Sequence, residues 1–169
     1  APLQLHNTFW PAQDFRNAAT LYLPTPEGEL MPLPRYASSD YYAGMLHSSA
    51  RDLATYLAAI ASETPAQTLP GLSKVRRQQM LGWDQPYAPG QDFPGWFWQR
   101  SGDYVGHNGL FVGASSMMYY NKATETGFVL LLNGDGQYWL APDVTKSQAW
   151  QQAMLQMAAK LYRHGLQLD

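Results

Sequence analysis

The chain has no cysteine among its 169 residues, which excludes disulfides, iron–sulfur clusters and thiolate zinc and leaves the redox compartment open. Charge is scarce as well: 14% of residues are Asp, Glu, Lys or Arg and the net charge is −2, so nothing draws a polyanion and nucleic acid is not an expected partner. The one basic cluster, Lys74, Arg76 and Arg77, reads as a solvated helix face. Long apolar runs are missing, since stretches such as Phe128 to Leu132 fall far short of the ~20 residues a membrane helix needs. No membrane span is therefore expected, and Ala1-Pro2-Leu3 does not resemble a signal peptide.

Metal chemistry has no sequence support. His6, His47, His107 and His164 are too scattered for a zinc pattern, and Asn133-Gly134-Asp135-Gly136 lacks the downstream glutamate of a calcium loop, so it reads as a tight turn. No cofactor is expected. Two nucleophile patterns are also absent. The residues three before Lys74, Lys122, Lys146 and Lys160 are Gly71, Tyr119, Asp143 and Met157, so Ser-x-x-Lys does not occur. Ser115-Ser116 has no Gly-x-Ser-x-Gly elbow around it.

What is present is material for a core, with 46% apolar residues, enough to exclude disorder. One domain over 1–169 is expected, with a helical, loop-rich part at 1–95 and antiparallel strands plus a C-terminal helix at 96–169. Residues 1 to 40 carry six prolines without sustained periodicity and read as a wrapping loop with one or two short strands. Ser49 to Asp52 has the spacing of a capping box, and Leu53, Tyr56, Leu57 and Ile60 then recur at helical intervals. Pro65 and Pro70 close that helix, and a shorter one is predicted over Ser73 to Leu81.

From Trp96 the period becomes that of strands. The pattern predicts about three antiparallel strands: one entered at Gly95 and running to Gly109, one over Ala114 to Asn121, and one over Thr126 to Asn133, with a turn at Lys122 to Glu125. Trp150, Met154, Met157 and Leu161 then form an apolar stripe ended by His164-Gly165, which predicts a helix packed on the sheet. The six tryptophans and eleven tyrosines read as packing before they read as a sugar-stacking surface.

Four stretches, in order, resemble the second half of the class C β-lactamase, penicillin-binding protein and serine esterase family. They are Leu3 to Trp10, Tyr42 to Leu53 with its Gly44, Ser48-Ser49 and Asp52-Leu53, Gly106-His107-Asn108-Gly109 with the following Gly113, and Gly127 to Gly134 ending in Asn133-Gly134. The resemblance implies a partial β-lactamase/transpeptidase-like fold of α+β class. It also implies that His107-Asn108-Gly109 is the His-x-Gly triplet on the strand that walls the catalytic pocket. By that resemblance His107 assists proton transfer near the nucleophile, Asn108 lines the substrate pocket, Gly109 gives close backbone access, and the N–H of Leu110 is an oxyanion-hole donor.

The family's serine–lysine pair and its Tyr-x-Asn tyrosine lie upstream of such a strand. Tyr119-Tyr120-Asn121 fits Tyr-x-Asn in letters but follows the triplet, so it is not taken as catalytic. The expectation is thus a C-terminal part of a serine hydrolase that turns over an amide, β-lactam or ester through an acyl-enzyme and is inactive alone. Its expected partners are the missing N-terminal half of the same protein and a small-molecule or peptidoglycan-like acyl substrate, with a homo-oligomer possible where apolar surface is left uncovered. A non-catalytic peptidoglycan- or protein-binding module is the alternative. The resemblance suggests a periplasmic or secreted location.

Overall fold

The computed structural model describes residues 3–10, 17–39, 41–61, 69, 71–90, 93–136 and 144–167. Pro65 and Pro70, expected to close the first long helix, lie outside the described residues.

Strands β1 (Tyr22–Pro24) and β2 (Leu30–Pro32) pair as a small antiparallel ribbon near the start of the chain. Helices α1 (Tyr41–Gly44), α2 (Ala50–Ala61) and α3 (Lys74–Leu81) follow. The main sheet is built from β3 (Gln99–Ser101), β4 (Tyr104–Phe111), β5 (Ala114–Asn121) and β6 (Thr126–Leu132), adjacent in sequence order and antiparallel throughout. Helix α4 (Val144–Gly165) ends the described chain. The fold is α+β, with strand register set by the alternation of side chains across the pleat.

The single strand expected across 95–109 folds as two. Gly102, with φ +60°, and Asp103 turn the chain between β3 and β4, and the sheet has four strands. The other hairpins follow their turn residues. Asn121 accepts the N–H groups of Ala123 and Thr124 through Oδ1, closing the β5–β6 turn where Lys122 to Glu125 was predicted.

Both faces of the sheet are covered. On one, Leu57 and Ile60 of α2 and Leu81 of α3 bury against Val105 and Trp98, with Met118, Tyr120 and Val129 completing the cluster. On the other, α4 lies along β6, where Tyr162 meets Tyr104 and Gly165 lies against Thr126. The stripe that α4 turns inward differs from the predicted one. Ser147, Trp150, Met154, Ala158, Tyr162 and Gly165 are the sheltered positions, whereas Met157 and Leu161 are exposed. Spacing of three or four residues allowed either set, and contact with Tyr104 and β6 selects the row that runs through Ala158 and Tyr162.

Capping matches the sequence reading. Ser49 Oγ accepts the N–H of Asp52 at the start of α2, and Ser73 Oγ accepts that of Arg76 at the start of α3. Gly82 ends α3 in the left-handed conformation, φ +66°. The first two family-like stretches are brought together here. Phe9 and His47 exchange backbone hydrogen bonds at 3.0 Å and stack their rings, while Asp52 accepts the N–H of Asn7 and the hydroxyl of Thr8.

Candidate active site at a strand margin

The Gly106-His107-Asn108-Gly109 segment lies within β4, and its position in the ladder decides what it can offer a ligand. Antiparallel strands alternate the direction of their backbone groups, so residues that bond one neighbour are separated by residues that face the other. The turns at Gly102-Asp103 and Val112-Gly113 fix the phase: Tyr104 and Gly106 face β3, and Val105, His107, Gly109 and Phe111 face β5. Asn108 and Leu110 therefore direct their N–H groups to the β3 side.

β3 does not reach them. Continuing its register would set Phe97 opposite Asn108 and Gly95 opposite Leu110, but neither belongs to a strand. Phe97 sits instead at φ +62°, a left-handed conformation that costs a side-chain-bearing residue about 1–2 kcal/mol, and it turns the chain away from β4. The detour is anchored at both ends: Trp96 N–H donates to the Met80 carbonyl at 2.8 Å and Trp98 is buried in the core. A Cβ at Gly95 would overlap the Met80 carbonyl, so close packing against the end of α3 requires glycine there. The margin of β4 from Asn108 to Leu110 is left without a neighbouring strand.

His107 and Asn108 project from opposite faces of the sheet. His107 lies exposed on the α2–α3 side, beside a shallow, open groove of about 590 Å³ lined by Phe93, Gly95, Trp96, Phe97 and His107. Its ring is 6.0 Å from that of Phe93. Nδ1 is hydrogen-bonded to the Asn108 carbonyl oxygen, which places the ring hydrogen on Nδ1 and leaves Nε2 of the neutral imidazole as an acceptor. Gly109 shares this face, and Ser116 Oγ would stand 2.6 Å from a Cβ placed on it.

Asn108 is on the α4 side, where Gln99 Nε2 donates to its Oδ1 at 3.2 Å. The triplet thus spreads over two faces, and what its members share is the strand margin.

The tip of the hairpin beyond Leu110 is held from two directions. Tyr36 stacks on Phe111 and donates its hydroxyl to the Val112 carbonyl. Asp135, fully buried, accepts the N–H of Gly113 at 2.7 Å. The sequence reading treated Asn133-Gly134-Asp135-Gly136 only as a turn and missed this second role. Its signal is an acidic residue between two glycines just after an apolar strand. Tyr119 is likewise more than a misleading motif, since its hydroxyl donates to Gln99 Oε1.

Among the described residues no group of three or more His, Asp or Glu side chains could hold a metal ion, and no helix is long and apolar enough to cross a membrane.

Comparison with known proteins agrees with this architecture. The fold matches an octameric penicillin-binding protein homologue from Pyrococcus abyssi with a TM-score of 0.60 and 23% identity, covering 91% of this chain and 35% of that one. It also matches a D-stereospecific amidohydrolase from Streptomyces sp. with a TM-score of 0.55 and 18% identity, covering 87% of this chain and 44% of that one. The chain thus spans between about a third and a half of the length of these structures. No curated protein matches the sequence. The family model described as Beta-lactamase matches residues 1–149. The chain belongs to the β-lactamase family.

Proposed function

We propose that this chain supplies one wall of the catalytic cleft of a serine hydrolase that acts on an amide, β-lactam or ester through an acyl-enzyme, in the manner of the class C branch of its family. Carrying this reading is the unpaired margin of β4, where Leu110 turns its N–H outward beside the groove that His107 borders. In the proposed cleft the Leu110 N–H is an oxyanion-hole donor, His107 Nε2 accepts or relays a proton near the nucleophile, Gly109 lets the substrate approach the backbone, and Asn108 lines the pocket from the other face. The attacking hydroxyl comes from a segment bearing Ser-x-x-Lys and Tyr-x-Asn, the missing half of the same protein.

The purified chain alone is then expected to hydrolyse neither nitrocefin nor a p-nitrophenyl ester. Turnover that disappears in His107→Ala would show a nucleophile within these 169 residues and would overturn the division of labour.

A second reading has its own support. Phe93, Trp96 and Phe97 are exposed on an anchored loop, Phe97 at 88% of its surface, as in a non-catalytic module that binds peptidoglycan or a protein. Pull-down on insoluble peptidoglycan by the chain alone, lost on Trp96→Ala, would favour it. Self-association is proposed as well, on the exposed Leu155, Met157 and Leu161 of α4 and on the octameric assembly of one structural relative. A monomeric mass by light scattering at micromolar concentration would refute it.

A further inference from the structure

Gln99, Asn108 and Tyr119 stand on three different strands, β3, β4 and β5, yet their side chains join in one line on the α4 face. The Tyr119 hydroxyl donates to Gln99 Oε1, and Gln99 Nε2 donates to Asn108 Oδ1. Tyr119 belongs to the strand on the far side of β4 from Gln99, so its ring must cross β4 to reach it. It crosses at Gly106: a Cβ there would overlap the Tyr119 ring, and only glycine leaves the path open.

We propose that Tyr119 and Gln99 are positioning residues that fix the primary amide of Asn108 with its oxygen inward and its N–H groups outward. The margin of β4 then recognises an acceptor oxygen of a ligand through Asn108 Nδ2 together with the Leu110 N–H. The recognition half rests on the reading of β4 as a pocket wall; the positioning half does not.

The polarity follows from donor and acceptor chemistry. A glutamine or asparagine amide can be turned end for end, so a chain of two amides has two consistent directions, and whatever stands at its origin decides between them. A phenol is a better donor than acceptor. Burial pushes the Tyr119 phenol up, which keeps its proton in place at neutral pH. Gln99 must therefore offer Oε1 to Tyr119, which leaves its N–H for Asn108 and makes Asn108 accept through Oδ1. Both Nδ2 hydrogens of Asn108 remain for a ligand. Without the hydroxyl the two directions become equivalent.

Side-chain amide hydrogen exchange by NMR on the chain as it stands reads this directly. In the wild type one Gln99 Nε2 hydrogen should exchange roughly 5-fold more slowly than the Asn108 Nδ2 hydrogens, the factor expected of one net hydrogen bond. Tyr119→Phe should bring the two amides to similar rates. Gln99→Glu, which can only accept, should turn Asn108 round so that the protected hydrogen moves to Asn108 Nδ2. Protection on Asn108 in the wild type, or rates unaltered by Tyr119→Phe, would overturn the positioning role.

N,N-dimethylacetamide, a neutral probe with an acceptor oxygen and no N–H, tests recognition separately. It should shift the Asn108 Nδ2 and Leu110 N–H resonances in the wild type and lose its effect on Asn108 in Gln99→Glu. Equal shifts in both proteins would overturn the recognition half. None of these readouts needs hydrolytic turnover, so they fail or succeed apart from the reading of the chain as part of a hydrolase.

Discussion

The Asp135 carboxylate accepts the backbone N–H of Gly113 at 2.7 Å, tying the loop after β6 to the turn between β4 and β5. With Tyr36 on the neighbouring carbonyl of Val112, it fixes the hairpin tip two to three residues beyond Leu110. Asp135→Ala leaves a buried N–H without this acceptor and should destabilise the chain by about 1.5–3 kcal/mol. Asp135→Asn keeps an oxygen in place and should cost less. Urea unfolding checks both, and an Ala variant within about 0.5 kcal/mol of wild type would refute the clamp.

Crowding at Gly106 gives a second test. A methyl group there meets the Met118 carbonyl and the Tyr119 ring, so Gly106→Ala should destabilise by about 1–3 kcal/mol, the usual range for overpacking. Adding Tyr119→Ala removes part of the obstruction and should recover some of that loss. Strict additivity of the two substitutions would argue against their contact.

Acid stability should report on Asp52. Burial raises its pKa, but the hydrogen bonds from Asn7 N–H and the Thr8 and Ser49 side chains, with the nearby His6 charge, outweigh burial and hold the carboxyl below its ordinary value. A depressed folded-state pKa contributes stability that is present above the unfolded value of 3.8 and is lost as pH falls through the folded value. The urea midpoint of the wild type should thus fall on acidification, and Asp52→Asn should flatten that limb. Parallel wild-type and Asn curves between pH 7 and pH 3 would exclude Asp52 as a contributor.

Leu110→Pro tests the proposed oxyanion donor. Proline removes the N–H but is tolerated at a strand margin where that group bonds no neighbouring strand. In a polypeptide joining this chain to a segment with Ser-x-x-Lys and Tyr-x-Asn, the substitution should lower kcat for a p-nitrophenyl ester by about 10²–10³. Unchanged kcat would remove Leu110 from the catalytic scheme.

The helices were legible because their starts carry local signals: Ser49 and Ser73 cap α2 and α3 through their own side chains. The β5–β6 hairpin was legible for a similar reason, with Asn121 marking its turn. The division of the first expected strand had a local signal, Gly102-Asp103, a two-residue hairpin turn that the reading passed over because Gln99-Arg100-Ser101 before it is short and carries no apolar residue. The inward stripe of α4 was hidden, since Met157 and Met154 are alike as residues and only contact with Tyr104 and β6 tells them apart.

At the candidate site, His107-Asn108-Gly109 was singled out from its letters, but the separation of His107 from Asn108 across the sheet is a property of the pleat. The links from Asp135 to Gly113 and from Tyr119 to Gln99 span 22 and 20 residues, and no local pattern announces them.

The left-handed turn at Phe97 has an effect on timing as well as on shape. Had residues 95–97 carried on as a strand, the protein's own main chain would sit on the donors of Asn108 and Leu110, and any visitor would first have to peel it off. Bent aside and anchored there, the segment is no rival: association needs no prior melting, and affinity is not reduced by the fraction of time a gate stays shut.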